Sequence, residues 1–263
     1  MSRASRLILP ALLLVALLAL WELAARSEAL SGLLGIEPFL VPAPSDVAES
    51  LWQDRALLAE NAWVTFREVL GGFAVALALG VGFAVVLHLS EILRRAFYPL
   101  VVASQTIPII VVAPIFVVWF GFGIGPKIAV IALICFFPIT VNTLDGLGTV
   151  DPEKRKLMRT LGAGRLQTLA RLELPSALPH MLSGAKIAIA VAVIGAVFGE
   201  WAGSDAGLSH QMLLDNAQLE IPRLFAAMTV LSVMAIALFG LVALVERRFA
   251  WWGDRTRTRA FIA

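Results

Sequence analysis

Apolar residues gather in six long runs, at approximately 7–25, 68–89, 98–120, 127–145, 181–201 and 224–245, with polar segments between them. Each run is close to the roughly 20 residues that a helix needs to cross ~30 Å of hydrocarbon. The pattern therefore predicts an all-α, polytopic membrane protein with six transmembrane helices. Val69 to Leu87 and Leu224 to Val245 contain no charged residue. In the fifth run only Ile187 to Gly199 lies between Lys186 and Glu200, and Lys186 is expected to snorkel to an interface. The first run follows Met1-Ser2-Arg3-Ala4-Ser5-Arg6 and reads as an uncleaved helix rather than a secretory signal. It continues through Leu23-Ala24-Ala25, and further spans follow.

Composition agrees with lipid as the main solvent. The 263 residues are 59% hydrophobic and 15% charged, too few charges to cover a water-soluble surface of this size. A net charge of +2 without a continuous basic footprint gives no reason to expect a nucleic-acid partner. The placement of the basic residues is more informative. With the N-terminus inside, cytoplasmic segments hold 16 of the 21 Lys and Arg residues. The outer side then holds Arg26, Arg55, Arg67, Lys127 and Arg223, and the segment from Glu28 to Glu60 contributes six acids. Positive charge is retained on the cytoplasmic side, so both termini are expected there. The single cysteine, Cys135, sits in an apolar run and reads as a small core residue.

Polar and backbone-breaking residues inside the spans are costly in lipid and face the bundle or a wet path. Pro108, Pro114 and Pro138 fall in this class, as do Ser104, Gln105, Thr106, Thr140, Asn142, Thr143 and Glu200. Two roles are open for them, helix-to-helix bonding and lining of a translocation path. Gln105, Asn142, Glu200 and Trp201 are the candidates for path or gate, although Trp201 also suits simple interfacial anchoring. Gly195 and Gly199, four apart, allow another helix backbone to approach closely.

The polar stretch from Gly146 to Gly184 is too long for a simple turn. Asp151-Pro152-Glu153 has helix-start chemistry, and a helix is expected through Leu161. Gly162-Ala163-Gly164 should break it, and Arg165 to Leu174 resumes a helical pattern that Pro175 and Pro179 close. The product is a compact knob, suited either to lie on the membrane or to dock into a partner's groove.

Gly162, nine residues, then Leu172-x-Leu174-Pro175 resembles the EAA loop of the permeases of ATP-binding-cassette (ABC) importers. The resemblance runs from about Phe39 to Glu246. Val118-Trp119-Phe120-Gly121-Phe122-Gly123, Phe137-Pro138-Ile139-Thr140-Val141-Asn142 and Phe198-Gly199-Glu200-Trp201 look like the nitrate/sulfonate/taurine branch. Val193 to Trp201 followed by Ala206-Gly207-Leu208 is most similar to importers of thiamine pyrimidine precursors. The resemblance implies a type I importer permease fold and a knob that acts as coupling helix for a separate ATPase. By position Leu161, Gly162, Ala163, Gly164 and Arg165 would form the docking tip, and Leu174 and Pro175 would end the motif. The family's Glu-Ala-Ala falls on Lys156-Leu157-Met158, so no acid stands there.

The same resemblance implies a place in the cell inner membrane and three protein partners: a second copy of the chain, the ATPase and an external solute-binding protein. It divides the chain into an N-terminal helix and outer segment (1–62), a transport domain (63–250) and a cytoplasmic tail (251–263). The solute it implies is a thiamine pyrimidine precursor, with alkanesulfonate, taurine or nitrate as the alternative. The residues themselves show no Gly-x-x-x-x-Gly-Lys-Ser/Thr loop, no nucleophile elbow and no paired histidines. Energy from a partner is therefore expected, with no cofactor and no catalytic set. The rivals are an ion-coupled secondary transporter, which usually has paired repeats and ionisable groups at the midplane, and a membrane enzyme.

Overall fold

A computed structural model describes residues 5–27, 32, 33, 35 and 37–249. The tail expected at 251–263, with Arg255, Arg257 and Arg259, lies outside the described residues, as do Arg3 and Glu28. The described residues form helices and no strand. In chain order the helices are α1 (Ser5–Arg26), α2 (Pro44–Gln53), α3 (Arg55–Leu89), α4 (Glu91–Ala103) and α5 (Ile109–Phe120). They are followed by α6 (Ile124–Gly148), α7 (Pro152–Thr160), α8 (Arg165–Gly203), α9 (Leu208–Gln218) and α10 (Ile221–Phe249).

Among the described residues α3, α6, α8 and α10 are each long and apolar enough to cross a membrane, and the pair α4 and α5 adds a fifth span if its two arms are one. The six spans expected from the sequence are therefore not all established by length and composition, although α1 occupies the first apolar run. The third run differs most from expectation. Its arms, Glu91–Thr106 and Ile109–Phe120, meet at 102°. Ile107 is extended (φ −81°, ψ 119°) because the ring of Pro108 crowds the α conformation of the residue before it. Ser104 Oγ and Thr106 Oγ1 donate to the carbonyls of Val101 and Ala103 at 2.7 and 2.8 Å, satisfying backbone at the break. Pro114 and Pro138 stay inside helices.

The chain divides into two compact units, Met1–Val64 with Ala206–Ser232 and Thr65–Asp205 with Val233–Ala263. In the first, α1 is fastened to the start of α2. Glu22 accepts from the Ser45 amide at 3.0 Å and hydroxyl at 2.7 Å, and Arg26 reaches Ser45 Oγ at 2.8 Å. Asp215, fully buried on α9, accepts from Arg223 Nε at 2.7 Å and Gln211 Nε2 at 2.8 Å.

The second unit is built on a seam between α6 and α8, which small residues bring into contact along its whole length. A Cβ at Gly184 would lie 2.8 Å from the Pro138 carbonyl oxygen, and one at Gly195 would lie 3.1 Å from Ile131 Cα. A Cβ at Gly199 would lie 3.3 Å from Lys127 Cα, so the Gly195-x-x-x-Gly199 pair does meet a helix, α6. Cys135 lies in this seam and donates to the Ala188 carbonyl at 3.2 Å. Gly80 seats α3 against Ile139 of α6. Nearly half of the apolar stretches of α6 and α8 is buried, against 6% for α10.

Gly184→Ala should destabilise the protein by about 1–3 kcal/mol, because backbone rather than a flexible side chain stands in the way. Gly82→Ala, whose Cβ meets nothing within 4 Å, should be neutral or stabilising. Thermal unfolding of the two variants in detergent checks the pair: Gly184→Ala should melt lower than the parent protein and Gly82→Ala should not.

Candidate functional site

The polar stretch between α6 and α8 folds as a helical hairpin. Asp151 accepts from the Glu153 amide at 2.8 Å, and Pro152 takes the first helical position, where its missing N–H costs nothing. α7 ends in a left-handed glycine. Gly162 has φ +78°, its amide donates to Arg159 O at 3.0 Å, and the Ala163 amide donates to Met158 O at 2.9 Å. These are the two crossed bonds of a Schellman cap, which reverses the chain and satisfies carbonyls that α7 would otherwise leave open. α8 then begins at once, with Gln167 Oε1 accepting from the Gly164 amide at 3.1 Å.

The second arm is not the short helix expected from the sequence. α8 runs on for 39 residues, through Pro175 and Pro179, and becomes a membrane span. Leu169–Glu173 is wound as a π-helix, and the Leu174 amide donates to Leu169 O, five residues back. The wider turn accommodates the missing N–H of Pro175 without ending the helix. The knob is consequently a rigid extension of a span.

Leu157, Leu161 and Leu166 lie at the outer end of this hairpin and are 59%, 73% and 70% exposed. Three large apolar side chains on so polar a segment need a cover. Arg165 is exposed as well, but its side chain reaches back to α3: its Nη2 donates to the carbonyls of His88 (3.2 Å) and Leu89 (3.4 Å) and caps the end of that helix.

Glu173, which sequence reasoning did not single out, holds the hairpin to that same end. Its buried carboxylate accepts from His88 Nε2 of α3 at 2.9 Å and pairs with Arg155 Nε of α7 at 2.7 Å. Arg155 also donates to the Leu147 carbonyl of α6 at 2.8 Å. Three helices thus meet on one acid, and Arg155 ties in a fourth. The only sequence signal was its place as the lone polar residue of Leu172-x-Leu174-Pro175. Glu173→Ala leaves Arg155 and His88 without their acid and should cost about 2–4 kcal/mol. Protease nicking of the hairpin should speed up in this variant while membrane insertion is unchanged, and unaltered nicking would count against the clamp.

The candidates for a path are dispersed. Gln105 is exposed at the break between α4 and α5. Asn142 Nδ2 donates to the Pro138 carbonyl at 2.7 Å, within α6. Trp201 is half-exposed and stands edge-on to Phe198 at 5.9 Å. Glu200 is almost fully buried and accepts from Thr65 Oγ1 at 2.6 Å. One turn along α3 from Thr65, Glu68 pairs with Lys127 of α6 at 2.9 Å, and both are buried. Lys127, read from the sequence as an outer-side charge at the edge of the fourth run, is buried, because α6 starts at Ile124 and Glu68 supplies the opposite charge. On the other side Lys186 pairs with Glu246 of α10, which also accepts from Ser183 at 2.9 Å.

A helical membrane bundle with one span continued by a hairpin whose apolar tip is uncovered fits a class: membrane subunits that dock a partner outside the bilayer. Comparison with known proteins makes this specific. Residues 74–251 match the family described as "Binding-protein-dependent transport system inner membrane component", and the chain belongs to that family. It is 37% identical over 253 residues, 96% of this chain and 98% of the relative, to the formylaminopyrimidine transport permease protein ThiX of Halalkalibacterium halodurans. It is 29% identical to the taurine transport system permease protein TauC of Escherichia coli, over 92% of this chain and 88% of that one. A crystal form of the MetNI methionine ABC transporter in an inward-facing conformation has the same fold, with a TM-score of 0.65 at 18% identity, covering 74% of this chain and 97% of that one. The protein is accordingly an ABC importer permease, multi-pass in the inner membrane, of a family that works with ATPase and solute-binding partners. The relatives are transport permeases rather than enzymes.

Proposed function

We propose that the chain is one half of a translocation pathway for a small heterocyclic solute of the formylaminopyrimidine class, moved inward as an ATPase partner closes on the hairpin of α7 and α8. The observation that carries this reading is mechanical. The hairpin tip presents Leu157, Leu161 and Leu166 uncovered, while its base continues into α8 and is clamped to α3 by Glu173 and Arg165. A displacement of the tip is thereby passed to the span that carries Glu200 and Trp201, without being absorbed in a flexible loop. In this reading Leu161, Gly162, Ala163, Gly164 and Arg165 form the docking turn, and Leu174 and Pro175 mark where the hairpin joins the span.

A second copy of the chain completes the pathway, and residues 63–250 are its transport domain. The excess of basic residues around the hairpin supports a cytoplasmic position for it and for both termini. Lipid covers α10. Gln105, Asn142, Glu200 and Trp201 line or gate the path. The pyrimidine solute rests on likeness to ThiX, and the taurine permease supports a sulfonate as the second reading. Uptake by proteoliposomes holding the permease, its ATPase and its binding protein tests both. ATP-dependent accumulation of labelled formylaminopyrimidine, undiminished by taurine, is expected. Accumulation of taurine alone would replace the first reading with the second, and uptake driven by an ion gradient without ATP would overturn both.

A further inference from the structure

We propose that the recess behind the hairpin is a binding site for a phosphate-bearing anion. A cavity of about 370 Å³ opens where the end of α3, the start of α4, α7 and the start of α8 converge. Arg94, Arg155, Arg159 and Arg165 line it together with His88, and the one acid in its wall is Glu173. That acid is already committed to Arg155 and His88. The side chains of Arg94 and Arg159 make no hydrogen bond or ion pair among the described residues, so two guanidiniums face a shared space with no counter-charge.

The chemistry of the ligand follows from the donors. Guanidinium forks match the oxygens of a phosphate two at a time, and their charge is not lost at any physiological pH. The cavity also reaches Ala163 and Thr168 beside the first turn of α8, the positive end of a long helix. Its walls come from several elements, and its volume leaves room for one phosphate with an attached organic group. With the hairpin on the cytoplasmic side, as proposed above, the site lies where anionic lipid headgroups and soluble phosphates both have access. The binding itself does not depend on that orientation, nor on the importer assignment.

The test uses the purified full-length chain without ATPase. In one arm inorganic phosphate is titrated against chloride at constant ionic strength and followed by calorimetry. In the other, lipids retained from mixed phosphatidylglycerol and phosphatidylcholine nanodiscs are read by native mass spectrometry. Saturable binding is expected in at least one arm, weakened about tenfold or more by the double variant Arg94→Gln, Arg159→Gln. The melting temperature without anion should stay unchanged, since neither residue supports the hairpin. Response to phosphate alone identifies a soluble ligand, and selective retention of phosphatidylglycerol alone identifies a lipid. No saturable binding in either arm would overturn the proposal, as would undiminished binding by the double variant. Because no motor or transport step is present, failure here leaves the importer assignment intact.

Discussion

Gly162→Pro is expected to reduce ATP-driven uptake to background while the protein still inserts into the membrane in normal amount. Proline fixes φ near −65°, whereas position 162 is at +78°, and it removes the amide that donates to Arg159 O. The Schellman cap then has no solution with the observed chain path. Rebuilding the turn costs about 3 kcal/mol or more, enough to displace the tip in most molecules. The ATPase should fail to co-purify. Gly162→Ala should be intermediate, since a left-handed alanine costs about 1–2 kcal/mol. Gly162→Asn should retain most activity, because asparagine tolerates that conformation and open space surrounds the position. Co-purification measured across proline, alanine and asparagine separates a conformational role from simple loss of a small residue. Equal retention of the ATPase by all three would show that the turn is not a docking element.

Lys127→Met should have the largest effect on stability. It leaves the Glu68 carboxylate buried with its cation gone, a defect worth about 3–5 kcal/mol. The melting temperature in detergent should fall on the order of 10 °C. The double variant Glu68→Gln, Lys127→Met removes both charges and should recover much of the loss, since a neutral pair of similar volume carries no uncompensated charge. If the double variant melts as low as the single one, the ion pair is not what holds α3 to α6 at this level.

Four of the six expected spans, the helix start at Asp151-Pro152 and the chain reversal at Gly162 were legible because each depends on neighbours in sequence: apolar run length, a capping side chain, a glycine free to take positive φ. The seam of α6 and α8 was half legible, since Gly195 and Gly199 announce a close approach without naming the helix that makes it. What depends on distant partners was hidden. Lys127 and Glu68 are 59 positions apart, and a lysine at the edge of an apolar run is indistinguishable from a loop residue until its acid is seen. Glu173 joins residues from two other helices, and it was hidden for the same reason. The 102° break had a local cause in Pro108, but Pro114 and Pro138 carry the same chemistry and remain inside helices. Proline alone does not say which helix breaks, because neighbouring packing decides.

The most direct test of the central claim is a crosslink from the hairpin tip. With Leu161→Cys supplying the only reactive thiol, Cys135 being buried in the seam, a short bifunctional reagent is applied to the assembled transporter. The account predicts a permease-to-ATPase adduct, and protection of the introduced thiol from maleimide only when the ATPase is bound. A thiol that labels equally fast with and without the ATPase, and never crosslinks to it, would contradict the account.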